Sequence, residues 1–169
     1  METIATLIQR FSHAGEVKWI GVRPARKQPL ISLDQATVRL TGLDGDHRKK
    51  PGKRTITLIQ AEHLPAIAAL CSEQQPTINP ARLRRNIVVS GISLLGLRNQ
   101  IFKIGDTTLR GTGLCAPCSR MEIELGFGGY NAMRGHGGIC AEVLEEGLIR
   151  LGDPVLSQSP PALTKTNES

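Results

Sequence analysis

Arg54-Thr55-Ile56-Thr57-Leu58-Ile59 alternates polar and apolar residues, placing Ile56 and Leu58 on one face and the threonines on the other. A period of two is the mark of a half-buried β-strand. Toward the N-terminus, residues 36–41 alternate and stop at Gly42, and residues 17–22 form a short apolar-rich run ending in Arg23-Pro24. Toward the C-terminus, residues 87–90 are a β-branched run closed by Gly91. Strand-like segments follow at 100–104, 107–111, 121–125, 139–144 and 148–156. Only residues 61–71 read as a helix, with Pro65 near the start, where the first turn tolerates it. Many short strands with glycine-rich turns predict a mainly β protein with a few short helices, built as a barrel or sandwich. One domain is expected over 11–156, without repeat or linker, followed by a polar, proline-containing and flexible tail at 157–169.

At 169 residues the chain can bury a core without covalent staples. One Trp, one Tyr and three Phe are too few for the aromatic platforms of a single-strand nucleic-acid binder. The net charge of +6 favours an anionic partner, and the basic residues cluster at 47–54 and at Arg82, Arg84 and Arg85. A basic nucleic-acid-binding barrel is the weakest reading, because no helix-turn-helix or aromatic interleaving accompanies the charge. No apolar run is long enough to span a membrane, and the first residues lack a secretion signal. A cytoplasmic protein with its four cysteines reduced is the expectation.

Four stretches carry candidate chemistry. In Gly113-Leu114-Cys115-Ala116-Pro117-Cys118-Ser119-Arg120, two cysteines three apart admit a metal clip, a redox pair, two buried apolar side chains or one functional thiolate. A zinc clip needs further ligands, and no second clip exists. A single thiolate at Cys118, with Arg120 two residues on to favour its ionised form, fits the stretch best. In Gly42-Leu43-Asp44-Gly45-Asp46-His47-Arg48, glycines around an acidic pair make a turn able to receive an anion, with His47 as a donor. The arginines before residues 87–90 are placed to grip a phosphate or carboxylate, with Arg85 and Asn86 facing the site and Arg82 and Arg84 at the surface. Asn86 could instead cap a turn. The glycine-dense stretch 126–138 allows close backbone approach to a ligand and carries His136, a candidate donor or an ordinary loop histidine.

Taken in order, these blocks resemble the MOSC family, named for the C-terminal domain of molybdenum cofactor sulfurases. The shared blocks are Gly42-Leu43-Asp44-Gly45-Asp46-His47, the 54–59 strand, Arg84-Arg85-Asn86-Ile87-Val88-Val89-Ser90-Gly91, Pro117-Cys118-Ser119-Arg120, Ala132-Met133-Arg134-Gly135-His136-Gly137-Gly138, and residues 147–155. The resemblance covers about residues 15–156. It implies a β-barrel of mixed parallel and antiparallel strands that binds the molybdenum cofactor, molybdopterin. Cys118 looks like the family's metal-ligating cysteine and so the catalytic one. His47, Arg48, Arg54, Arg85, Asn86, Arg120 and His136 would bind the cofactor, whose phosphate suits arginines and whose metal suits a soft thiolate.

Among family members are reductases of N-hydroxylated compounds, sulfurase domains and standalone proteins. The resemblance therefore implies either a reductase component acting on a small N-oxygenated substrate or a cofactor- or sulfur-transfer domain. The sequence has no flavin, haem or iron–sulfur motif, so a partner redox protein would deliver electrons. A cysteine desulfurase is the alternative partner. Direct binding of pyridoxal phosphate is not expected, because the desulfurase domain that carries it in sulfurases has no counterpart here. A non-catalytic sulfur carrier or metal-binding module is the reading from a different class.

Overall fold

The alternation of residues 54–59 is realised in β5 (Ile56–Gln60), where Ile56 and Leu58 point into one apolar core and Ile59 into another. The computed structural model describes residues 1–158, and residues 159–169 of the expected tail lie outside them. Chain order begins with α1 (Ile4–Leu7), β1 (Gly15–Val22), β2 (Ile31–Leu33), β3 (Gln35–Arg39) and β4 (Gly42–Leu43). After β5 come α2 (His63–Leu70), a 3₁₀ turn at Pro80–Leu83, β6 (Ile87–Ser90) and a second 3₁₀ turn at Leu95–Leu97. The remainder is β7 (Ile101–Ile104), β8 (Thr107–Leu114), α3 (Arg120–Leu125), α4 (Gly129–Met133), β9 (Ile139–Glu145), β10 (Gly147–Arg150) and β11 (Pro154–Ser157).

The main sheet runs β11-β7-β8-β9-β5-β6-β1-β2 and closes on itself where β1 pairs with β11. Closure leaves a barrel with β2 as an added edge strand, and β10-β3-β4 forms a smaller sheet beside it. Closing the ring removes the exposed edges that an open sheet would present. The β5–β6 pair is parallel, with Leu58 opposite Ile87, whereas β5–β9, β8–β9 and β1–β6 are antiparallel. The protein is therefore mainly β with short helices and a barrel of mixed strands, as the sequence predicts.

Strand alternation sorts the side chains into two cores. Ile20, Ile56, Leu58, Ile87, Val89, Phe102 and Val155 fill the barrel. On the outer face, Ile59 and Val88 meet Leu64 and Ile67 of α2, Met121 and Leu125 of α3, and Met133 of α4. Burying one such aliphatic side chain is worth about 1.5–3 kcal/mol. The helices are thus held as a lid on the outer face of β5 and β6.

The segment expected as a strand at 121–125 is instead helix α3, which begins at Arg120. Met121, Ile123 and Leu125 look alternating, but an i, i+4 pair lies on one helical face as readily as on one strand face. Met121 and Leu125 are buried while Ile123 is 80% exposed, which settles the period as helical. Among the described residues no helix is long and apolar enough to cross a membrane.

Candidate functional site

Because β5 and β6 are parallel, both strands start on the same rim, and the end of antiparallel β1 reaches that rim too. Arg23 follows β1 there, Arg54 precedes β5, Arg84 precedes β6, and the turn after β4 adds Asp46, His47 and Arg48. These residues, with Thr57 and Asn86, line a polar cleft of about 80 Å³. An adjoining cleft of about 280 Å³ shares Arg23 and Arg84 and is lined further by Lys27 and Arg120.

The turn is pinned before it can bind anything. Buried Asp46 accepts a hydrogen bond from the Arg23 backbone N–H at 2.8 Å, and the His47 N–H donates to the Arg23 carbonyl at 2.7 Å. Arg23 Nη2 lies 3.3 Å from His47 Nε2. A guanidinium can only donate, so Nε2 accepts and the imidazole carries its proton on Nδ1. That Nδ1 is buried and has no hydrogen-bond partner, and neither does Arg23 Nε. Asp46 Oδ1 stands 3.7 Å from His47 Nδ1, beyond hydrogen-bond distance, so neither shielded donor is completed within the protein, which is costly unless a ligand completes them.

Charge reinforces the point. Burial, and then the positive field of Arg84 with smaller parts from Arg120 and Arg26, makes Arg23 easier to deprotonate than an ordinary arginine; Asp46 opposes this. A cation crowded by cations favours an incoming anion. Arg84 also sits in the left-handed region at φ 58°, ψ 37°. A non-glycine residue held there costs on the order of 1 kcal/mol, a strain found preferentially at ligand-binding positions.

The predicted residues divide among three environments. His47, Arg48, Arg54 and Asn86 share the polar cleft, and Arg120 lines its neighbour. Asn86 is also a staple: its Oδ1 accepts from the Thr57 N–H and hydroxyl at 3.2 and 3.1 Å, and its Nδ2 donates to the Gly21 carbonyl. Arg85 lies beneath the cleft. It is buried and donates to the carbonyls of Gly137 (2.8 Å), Leu83 (3.0 Å) and Cys115 (3.1 Å). Arg84 therefore joins Asn86 at the cleft and Arg85 does not. His136 stands apart, edge-on to His63 with ring centroids 4.8 Å apart and its own Nδ1 buried without a partner.

The two cysteines of the C-x-x-C segment separate completely. Cys118 is exposed on the loop before α3, and its carbonyl accepts from the Met121 N–H. Cys115 is buried, held by its N–H on the Gly138 carbonyl at 2.9 Å. Gly138 is obligatory at this crossing, since a Cβ would stand 1.8 Å from the Leu58 carbonyl oxygen. Cys115 pairs with Cys140, which lies opposite Thr57 on β9. Donation from the Cys115 thiol, together with Arg54 and more weakly Arg85, draws Cys140 down to about 6 against the opposing effect of burial. Cys115 is pushed well above the usual thiol range by that same hydrogen bond and by burial. Among the described residues no cluster of three or more His, Cys, Asp or Glu could hold a metal ion, and all four cysteines are free.

Sequence reasoning missed the weight of Arg23, Arg84 and Cys140. Arg84 was expected at the surface with Arg82 and instead lines the cleft, whereas Arg23 and Cys140 carry no local signal.

The family model for the MOSC domain matches residues 34–156. No curated protein sequence matches the chain. Among solved structures, YuaD from Bacillus subtilis aligns with a TM-score of 0.74 at 19% identity, covering 85% of this chain and 94% of that one. YiiM from Escherichia coli aligns with a TM-score of 0.67 at 19% identity, covering 85% of this chain and 70% of that one. YiiM from Geobacillus stearothermophilus gives 0.68 at 15% identity, covering 86% and 75%. At such identities the likeness to these structures is one of fold.

Proposed function

The chain belongs to the MOSC domain family, and on that premise we propose that it binds a phosphate-bearing molybdenum cofactor of the molybdopterin kind. The observation that carries the reading is the pair of shielded, unpartnered donors, Arg23 Nε and His47 Nδ1, in a cleft lined by Arg48, Arg54 and Arg84. A phosphate oxygen is an acceptor of the right charge for both, and charge-assisted bonds to it are roughly twice as strong as neutral ones. Arg120 and Lys27 extend the positive surface into the adjoining cleft, where the rest of an anionic cofactor has room.

Cys118 is the residue to hold the metal, because it is the exposed thiol and a thiolate is the form that binds a soft metal. When bound, the cofactor supplies two-electron chemistry at molybdenum, suited to removing oxygen from a small N-hydroxylated compound with electrons from a partner redox protein. The protein's part is positioning: Asp46 fixes the Arg23 backbone, Arg23 fixes the His47 tautomer, and Arg85 ties the cysteine loop to the segment that enters β6.

The test is expression in a host that makes the cofactor, followed by measurement of molybdenum and pterin per chain. The wild type should carry both, Cys118→Ala should lose metal, and Arg23→Gln should lose pterin and metal together. A wild type free of both would sink the proposal. The exposure of Cys118 favours a second reading, a sulfur carrier fed by a cysteine desulfurase. On that reading, incubation with desulfurase and cysteine adds one sulfur atom to the intact mass, and Cys118→Ala prevents it.

A further inference from the structure

The far ends of β5 and β6 open onto a second cavity, about 530 Å³ in volume and larger than either arginine cleft. We propose that this cavity is a binding site for an uncharged small organic molecule with a largely apolar body. Ile92, Leu94 and Leu95 form one wall after β6, and Leu114 and Ile139 form the other at the β8–β9 crossing. A volume of this order, mostly apolar and with a few polar groups, is typical of sites that engulf small organic ligands.

The polar groups show what kind of ligand is admitted. Glu62 is fully engaged, one oxygen accepting from the Gly91 N–H at 2.9 Å and the other from the Gln60 side chain. Buried Gln60 is engaged as well, donating to the Ile92 carbonyl and accepting from the Leu94 N–H. His13 donates from Nδ1 to the Ala14 carbonyl at 3.1 Å, no hydrogen bond occupies the His63 ring, and the Ser93 hydroxyl accepts from the Gly96 N–H while its proton stays free. Burial, and then His136, hold His63 below the ordinary imidazole value against the weaker pull of Glu62, so the ring is neutral at neutral pH.

With no lysine or arginine in the lining and one carboxylate at the edge, an anion is disfavoured. A ligand with one hydrogen-bonding group for His63 or Ser93 and an apolar body for the walls satisfies what is present. Leu114, Gly135 and Gly138 are shared with a smaller cleft of about 200 Å³ that runs past Cys115 to Pro117. The inference is independent of what Cys118 carries.

The experiment uses the purified cofactor-free chain and two probes with the same ring system, neutral 1-naphthol and anionic naphthalene-1-sulfonate, followed by methyl NMR. Titration with 1-naphthol should saturate and shift the methyls of Ile92, Leu94, Leu95, Leu114 and Ile139. Leu95→Arg, a change at a side chain 62% exposed, should weaken that binding about tenfold or more. Ile123→Arg, on the outer surface of α3, should leave it unchanged. The sulfonate should not shift these methyls. The inference is overturned by absence of saturable naphthol binding, by shifts confined elsewhere, by equal effects of the two variants, or by equal binding of the sulfonate.

Discussion

Where β5 and β6 begin, the pair meets Arg23, His47 and Arg84; where they end, it meets Ile92, Leu94 and Leu95. The strands and their first flanking residue contribute little to this contrast beyond Thr57, Asn86 and Gln60, and all three are spent on hydrogen bonds within the protein. Polarity at each end comes from the loops that a parallel pair brings to the same rim. A parallel connection needs a crossover, and the one here carries α2 and the 3₁₀ turn that ends in strained Arg84. The rigid pair fixes position, and the connecting segments fix chemistry.

Arg85 belongs to neither end, and removing it should have the largest effect. Arg85→Ala would leave three buried carbonyls without their donor, so a loss of about 3–5 kcal/mol in urea unfolding is expected. A loss of stability below about 1 kcal/mol would mean that Arg85 is free to act as a ligand instead. Next, Arg23→Gln should weaken binding of inorganic pyrophosphate to the apo protein by about ten- to a hundredfold, measured by calorimetry. Binding of 1-naphthol should not change, and a parallel loss of both would erase the distinction between the two ends.

A smaller, two-sided effect is expected for Arg84→Gly. Relief of the positive φ should raise stability by about 0.5–1 kcal/mol in denaturant titration, while pyrophosphate affinity falls severalfold. Opposite signs from one substitution are the signature of strain kept for binding, and a loss of both would assign Arg84 to the scaffold.

The smallest change concerns Cys140. Its folded value near 6 lies below the ordinary thiol value of 9.0, so its thiolate contributes stability that is present above the unfolded value. That contribution is lost as pH falls through the folded value, so it declines from about pH 9 to about pH 6. Above that window the raised Cys115 acts in the opposite sense, keeping a proton that the unfolded chain has released. A titration of ultraviolet thiolate absorbance should therefore show one thiol ionising below the ordinary thiol range, a step that Cys140→Ser removes.

The fold was legible where one face of a strand is apolar, as in residues 54–59 and 87–90. It was misread at 121–125 because Met121 and Leu125 satisfy both periods, and only the exposure of Ile123 separates them. Helix α4 lay hidden in the glycine-dense stretch. There Gly129 is needed because a Cβ would stand 2.5 Å from the Leu125 side chain, a tertiary constraint with no local trace. At the candidate site, the clustering of His47, Arg48, Arg54 and Asn86 was legible, and the structure brings them to one cleft. The importance of Arg23 and Cys140 was not legible, because each becomes significant only through partners distant in sequence.

The pairing of β1 with β11 sets Gly15 against Val155, so the ring is completed by its first and last long-range partners. A chain emerging from the ribosome cannot make that contact until β11 has been synthesised. Until then β1 and β7 each present an unpaired edge, and closure must overcome the loop entropy of almost the whole domain. Folding limited by this last step should be slow for the protein's size, and the newly made chain is most vulnerable to aggregation just before β11 arrives.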